Sequence, residues 1–384
     1  MNFALTDDQI MIRDAAESFL ADVADSAAVR KAAADPRGYD EAAWRRIAGE
    51  LGWCGIPVPE AHGGLGLGAV ELMLVQEQIG RRLLPSPFFA TVCLAATVLR
   101  EVASDAAQAE FLPRIAAGAL RASAPLPSDA GGWTAAASML RATPESGHWR
   151  LQGVAERLPD AQDAELLLLF AETADGPGLF AVPAESQGLQ VVTAEGWDGT
   201  RRFSRVLLDA VLPDAARIDE ARRADGYARS FALAQLYVAA EQLGAAQQCL
   251  DLTVAYTATR KQFGRAIAGF QAVKHRCAEM MVRIEALRSA VYGAAAQAAG
   301  DAGVASLQLE CAMAKALGSD ALFACAQEAI QLHGGVGFTW EYDPQLYFKR
   351  AQASSHWLGS ADALREGIAG RLLAPDNTPP AMAV

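Results

Sequence analysis

Apolar residues recur at helical spacing through most of the first 120 positions. Thr6-Asp7-Asp8-Gln9 has the form of a capping box, with Thr6 as cap and Gln9 three residues on. Ile12, Ala16, Phe19, Leu20 and Val23 then share one face, which predicts a helix. A second helix is predicted over about 41–51, with Trp44, Ile47, Ala48 and Leu51 together; Pro57 and Pro59 forbid its continuation. The glycine-rich 63–68 stretch follows no strand pattern and reads as a tight loop, not a phosphate cradle. Helix resumes through Leu72, Val75 and Ile79, breaks at Pro85-Ser86-Pro87, and returns over 94–99.

After Pro125 the period changes. Short runs at 148–153, 166–170, 179–182, 189–193 and 205–211 are punctuated by Gly147, Gly153, Gly176, Gly188 and Gly196, which predicts a small β sandwich or barrel. From about Gly226 to Thr259 the pattern is helical again, about 50 Å at 1.5 Å per residue. Leu236, Ala240, Leu243 and Leu250 line one face and Ala234, Val238, Ala245 and Leu252 the other. A helix apolar all round is buried between neighbours. Further helices are predicted from about Phe270, over about 306–332 with Gly334-Gly335 as its stop, and over about 361–373. The predicted organisation is mainly α: an N-terminal helical domain (1–122), a middle β domain (123–214), an antiparallel four-helix bundle (220–373) and a frayed tail (374–384).

Composition narrows the function. A formal net charge of −12 argues against nucleic-acid and anionic-membrane partners. No apolar run approaches the length of a membrane span, and the start shows no signal-peptide pattern. The six cysteines form no CxxC pair and no Cys/His metal spacing, so no metal site is predicted. Buried free thiols of a reducing cytoplasm are the expectation.

Candidate chemistry gathers at Arg260-Lys261-Gln262-Phe263-Gly264, continuing to Phe270-Gln271, where one long helix ends and the next begins. A guanidinium pairs with pyrophosphate oxygens, and a glycine lets backbone come close. Taken alone, a polar helix–helix turn explains the stretch better. The rest of the chain decides.

Together, Arg260-Lys261-Gln262-Phe263-Gly264 and Gln331-Leu332-His333-Gly334-Gly335-Val336-Gly337-Phe338 resemble the FAD-dependent acyl-CoA dehydrogenases. The Phe3–Gln9 opening, Pro57-Val58-Pro59-Glu60, Gly63-Gly64-Leu65-Gly66 and Glu77-Gln78-Ile79-Gly80 extend the likeness over nearly the whole chain. The pattern is closest to subunits of bacterial hetero-oligomeric enzymes, some of which handle bulky or steroid-derived CoA thioesters. The resemblance implies an acyl-CoA substrate, FAD, an electron-transfer flavoprotein as acceptor, and a homo- or hetero-oligomer. It further implies that Arg260, Gln262, Phe263, Gln331, Gly334 and Gly335 contact FAD held mainly by a neighbouring subunit.

Other positions depart from the family. The β-domain segments that grip the flavin read Ala124-Pro125-Leu126-Pro127-Ser128-Asp129-Ala130-Gly131-Gly132 and Glu156-Arg157-Leu158-Pro159-Asp160-Ala161, without the usual hydroxyls and ring. The usual base position, beyond Arg350, falls in Trp357-Leu358-Gly359-Ser360-Ala361, which has no carboxylate. The alternative position falls at Ala234, and the following arginine at Gln235. Glu241 remains, two turns on. Desolvation on an apolar face is expected to raise its pKa toward a general base. Pairing with an arginine from a packed helix, or exposure at a subunit gap, are the structural alternatives. The second functional reading is a catalytically reduced partner subunit that lends the FAD-contacting corner to its neighbour.

Overall fold

The computed structural model describes residues 4–128, 130, 132–134, 139–219 and 224–373. Phe3, Asp129, Gly131 and the expected 374–384 tail lie outside the described residues. Helix α1 (Asp7–Val23) opens with the expected capping box: Gln9 N donates to Thr6 Oγ1 at 3.2 Å and Thr6 N to Gln9 Oε1 at 3.1 Å. Helices α2 (Ser26–Ala34), α3 (Glu41–Arg45) and α4 (Ala69–Arg82) follow. A wide π-wound stretch, Phe89–Ala96, feeds α5 (Thr97–Val102), and α6 (Asp105–Ala116) closes this helical part.

The strands are β1 (Ala122–Ser123), β2 (Leu140–Glu145), β3 (His148–Pro159), β4 (Leu166–Thr173), β5 (Gly176–Pro183), β6 (Leu189–Ala194) and β7 (Phe203–Pro213). They join one seven-stranded sheet in the order β1-β4-β2-β3-β7-β6, with β5 paired to β4, so the middle part is a single curled sheet. Strand alternation assigns its two faces. Leu167, Leu169 and Ala171 of β4 enter the sheet's own core. Leu166, Leu168 and Phe170 join the core shared with the helices. An antiparallel pairing of β3 with β7 carries a bulge between Ala155 and Leu158, next to the β3 end at Pro159.

Helix α7 (Ala224–Thr259) runs through the centre, as its all-round apolar pattern requires, and residues 230–246 are buried without interruption. Around it lie α8 (Gln271–Ala299), α9 (Val304–His333), α10 (Pro344–Ser354) and α11 (Ala361–Leu372). Sequence reading left α10 out, although Pro344 in its first turn is a helix-start signal. Helices α4 and α7 cross at two glycines. A Cβ on Gly244 would stand 1.8 Å from the Glu77 carbonyl oxygen, and one on Gly80 would stand 2.1 Å from that of Glu241. Only hydrogen fits at this contact, and the close approach sets Gln76 and Glu77 beside Glu241.

Substituting Gly244→Ala forces the two backbones apart. The expected result is a loss of about 1–3 kcal/mol, read as a lower melting temperature. An unchanged melt would contradict the crossing.

Candidate cofactor-binding and active site

Two separate constellations emerge, one exposed and one buried. The exposed one is the corner between α7 and α8. Lys261–Gln262 and Arg265–Ala266 form a two-rung hairpin, which turns at Phe263 (φ 51°) and Gly264 (φ 77°). Phe263 is 90% exposed, braced edge-on against Phe270 at 6.0 Å, and Arg265 lies over that same ring at 4.1 Å. Arg260 and Gln262 are exposed as well.

The end of α9 belongs to the same region, because His333 stacks on Tyr256 at 4.3 Å, one turn before Arg260. Gln331, Gly334 and Gly335 are exposed there, and nothing lies within 4 Å of a Cβ built on either glycine. His333 itself is buried with Nδ1 donating to the Ala329 carbonyl at 2.6 Å. Burial holds its pKa below the usual imidazole value, which suits a helix-end side chain.

The structure therefore brings together all six residues expected at the cofactor. A guanidinium, a side-chain amide, approachable glycine backbone and an unpacked ring fit the pyrophosphate and adenosine end of a dinucleotide.

The buried constellation centres on Glu241, only 1% exposed on α7. Its Oε1 accepts from Arg201 Nη1 at 3.1 Å and Arg350 Nη1 at 2.6 Å. Its Oε2 accepts from Arg201 Nη2 at 2.8 Å and Gln76 Nε2 at 2.6 Å. Arg350, on α10, also donates through Nε to Asp198 Oδ2 at 2.5 Å and through Nη2 to Thr200 Oγ1 at 2.6 Å. Arg201 is packed over the Phe89 and Trp357 rings, at 4.3 and 5.2 Å. Asp198, Thr200 and Arg201 all sit in the β6–β7 loop, so this cluster ties sheet, bundle and N-terminal helices together.

The expected rise in the Glu241 pKa is overturned here. Burial pushes it up, but the Arg201 and Arg350 charges outweigh that and hold it below the usual carboxylate range. Both oxygens are committed to donors, and the carboxylate stays ionised. Pairing with arginine, the alternative reading of this residue, is the one the geometry supports. Arg201, Asp198 and Gln76 were not picked out in the sequence. The available signal was weak: Trp197-Asp198-Gly199-Thr200-Arg201 reads as an ordinary polar turn, and only Gln76 stands in an apolar helical setting.

The three segments that depart from the family pattern meet beside this cluster. Leu126 N donates to Arg157 O at 2.9 Å, Leu358 N to Pro127 O at 2.7 Å, and Ser123 Oγ to Pro159 O at 2.6 Å. Leu126, Leu358 and Trp357 are buried, and Phe203 packs on Trp357 at 5.4 Å. Gln235 donates to the Leu358 carbonyl at 2.9 Å. On its far side opens a cavity of about 370 Å³, lined among others by Trp133, Tyr227, Phe231, Gln235, Leu364 and Ile368. Trp133 forms a fixed wall, stacked on Phe170 at 4.7 Å with Nε1 donating to Ser230 Oγ at 2.9 Å. Among the described residues of 124–132 and 156–161, Ser128 is the one side-chain hydroxyl that these two segments carry.

Helices, a curled sheet and more helices, with an exposed corner chemically suited to pyrophosphate and adenosine, give the layout of a candidate dinucleotide-binding protein. Family comparison makes this specific: "Acyl-CoA dehydrogenase, N-terminal domain" matches residues 6–119 and "Acyl-CoA dehydrogenase, C-terminal domain" matches 227–373. The chain belongs to the acyl-CoA dehydrogenase family, whose members use FAD to oxidise CH–CH bonds of acyl-CoA thioesters. It is 33% identical over 353 residues to the acyl-CoA dehydrogenase IpdE2 of Mycobacterium tuberculosis, covering 91% of this chain and 92% of that one. Among solved structures it is similar to the ChsE4–ChsE5 complex of Mycobacterium tuberculosis, with a TM-score of 0.89, 26% identity, and 99% and 100% of the chains covered. A variant of the Tcur3481–Tcur3483 steroid ACAD matches at a TM-score of 0.86 and 31% identity, covering 96% and 98%. Among the described residues no helix is long and apolar enough to cross a membrane.

Replacing Glu241→Gln leaves Arg201 and Arg350 short of a buried countercharge. Loss of about 3–5 kcal/mol of stability is expected in thermal or denaturant unfolding. A variant as stable as the parent would show that Glu241 is not the keystone of the cluster.

Proposed function

We propose that this chain is one subunit of a hetero-oligomeric acyl-CoA dehydrogenase, and that it lends Arg260, Gln262, Phe263, Gln331, Gly334 and Gly335 to FAD held mainly by an unlike subunit. The single observation that carries this reading is the contrast between the two constellations. The FAD-contacting corner is exposed and unspent, whereas the one candidate carboxylate for proton removal is saturated by arginines. A base drawn from this chain would have to break two buried ion pairs on every turnover. The partner supplies the base in this reading, and Glu241 serves as a structural countercharge.

FAD bound at such a shared site supplies the electron acceptor for oxidation of the acyl Cα–Cβ bond. This chain's residues bind and orient. Arg260 offers a planar, permanently charged fork to the pyrophosphate, and the Gly334–Gly335 backbone closes on it without a side chain in the way. Phe263, already propped by Phe270, presents a flat apolar face to the adenosine end. The proposed substrate is a bulky, steroid-derived CoA thioester, a reading supported by the steroid ACAD among its structural relatives. An electron-transfer flavoprotein is the proposed acceptor. Six thiols free of disulfides agree with a cytoplasmic setting.

Expressed alone, the chain should be colourless and inactive; co-expressed with its unlike subunit, it should give a yellow complex that oxidises an acyl-CoA. Within that complex, Arg260→Ala should weaken FAD retention roughly ten- to a hundredfold, the loss of a charge-assisted bond worth about 1.5–3 kcal/mol. A yellow, dye-reducing chain on its own would defeat the proposal, as would an Arg260→Ala complex that keeps its flavin unchanged.

A further inference from the structure

One carboxyl group near the buried cluster has no counterpart in the pairing just described. Asp160 follows β3, is 8% exposed, and sits in the left-handed region at φ 53°. Its backbone is fixed from both sides: its N donates to Arg202 O at 3.0 Å, and its carbonyl accepts from Asp163 N at 3.2 Å. Its side-chain Oδ2, in contrast, is buried with no hydrogen-bond partner among the described residues. A buried ionised oxygen left unpaired costs several kcal/mol, and such groups shed their charge instead.

The surrounding charges point the same way. From the β6–β7 loop, Arg201 and Arg202 face Asp160; Arg350 faces it from α10; Asp163 repels it from the turn after β3. Arg202 is already committed to the carbonyls of Ala33, Asp35 and Pro36 at the end of α2. Asp163 is held by Arg121 at 3.0 Å and by the Tyr39 hydroxyl at 2.5 Å. Arg202 thus keeps its charge but spends its donors on backbone, which leaves Arg201 and Arg350 as the donors nearest Asp160, Asp198 and Glu241. Asp198 and Glu241 hold those arginines through direct hydrogen bonds. No donor of these arginines reaches Asp160 Oδ2, so a proton on Asp160 removes the cost of an unpaired buried charge.

We propose that Asp160 is kept as a neutral carboxylic acid at the seam between sheet and bundle, and that its ionisation with rising pH loosens the β6–β7 loop from α7 and α10. Burial agrees, pushing the Asp160 pKa up to about 7 against the pull of Arg201 and Arg350. The linkage has a definite sign. A carboxyl whose folded-state pKa is raised contributes stability at pH below the ordinary carboxylate range. That contribution is lost as pH rises toward and through about 7. Once ionised, Asp160 competes with Glu241 and Asp198 for Arg201 and Arg350, the two side chains that hold the loop. The device belongs to this chain's own packing and does not depend on flavin.

The test compares the full chain, in the assembly in which it purifies, with its Asp160→Asn variant between pH 5 and 8.5. Asparagine keeps the shape and a donor but cannot ionise. The melting-temperature difference should be small at pH 5 and grow to roughly 2–5 °C in favour of the variant at pH 8.5. An infrared band of a protonated carboxyl, present below neutral pH and fading above it, should be missing from the variant. An offset that does not change with pH, or an unaltered band, overturns the proposal. Should the variant fail to fold, hydrogen exchange of residues 197–202 in the parent decides: the protection factor, with the base-catalysed rise in intrinsic exchange divided out, should fall across neutral pH, and a constant protection factor overturns the proposal equally.

Discussion

One buried carboxylate, that of Glu241, ties the sheet, the bundle and the N-terminal helices of this protein together. It lies on the central helix, accepts Arg201 from the sheet's β6–β7 loop, Arg350 from α10 and Gln76 from α4, and is sealed by Phe89 and Trp357. Two buried arginines would be prohibitive without it, and it would be prohibitive without them. Such a cluster is a poor source of net stability compared with hydrocarbon. It is a strong enforcer of geometry, because any slip of the loop strands a charge. The glycine contact between α4 and α7 serves the same centre by bringing the Gln76 amide within reach.

That role excludes another. Proton abstraction needs a carboxylate with an open oxygen and an affinity for protons near neutrality. Glu241 has neither, and the loop that in relatives carries the base offers Leu358, whose backbone is tied to Pro127 and Gln235. The outward corner keeps its chemistry intact: a free guanidinium, two accessible glycines and a phenylalanine that no packing demand of this chain explains. A residue 90% exposed and propped on a second ring is an interaction surface waiting for a ligand or a neighbour. The two halves agree with the proposed role of a subunit that lends residues to a shared active site.

Much of this was legible in the sequence, and unevenly. Periodicity located the long helices, because α7 must be buried on every side and its residues say so. The capping box at Thr6 is local and was readable outright. The proposed cofactor corner was recognisable because each of its two segments, 260–264 and 331–335, is contiguous. What escaped were pairings over long separation. Arg201 and Arg350 lie 40 and 109 residues from Glu241, and nothing in a local pattern reveals them. The apolar neighbours of Glu241 correctly indicated desolvation and wrongly suggested a raised pKa, since the sign depends on partners brought in by the fold. Helix α10 was overlooked because it is short and follows a glycine-rich stop, and with it went the element that carries Arg350.

Flavin stoichiometry distinguishes one shared site from two complete ones. In the assembled enzyme, FAD released by denaturation should be counted against each of the two unlike chains. The account predicts one FAD for every pair of chains, and none retained by this chain when the two are separated. One FAD per chain, or flavin that stays with this chain alone, would contradict it.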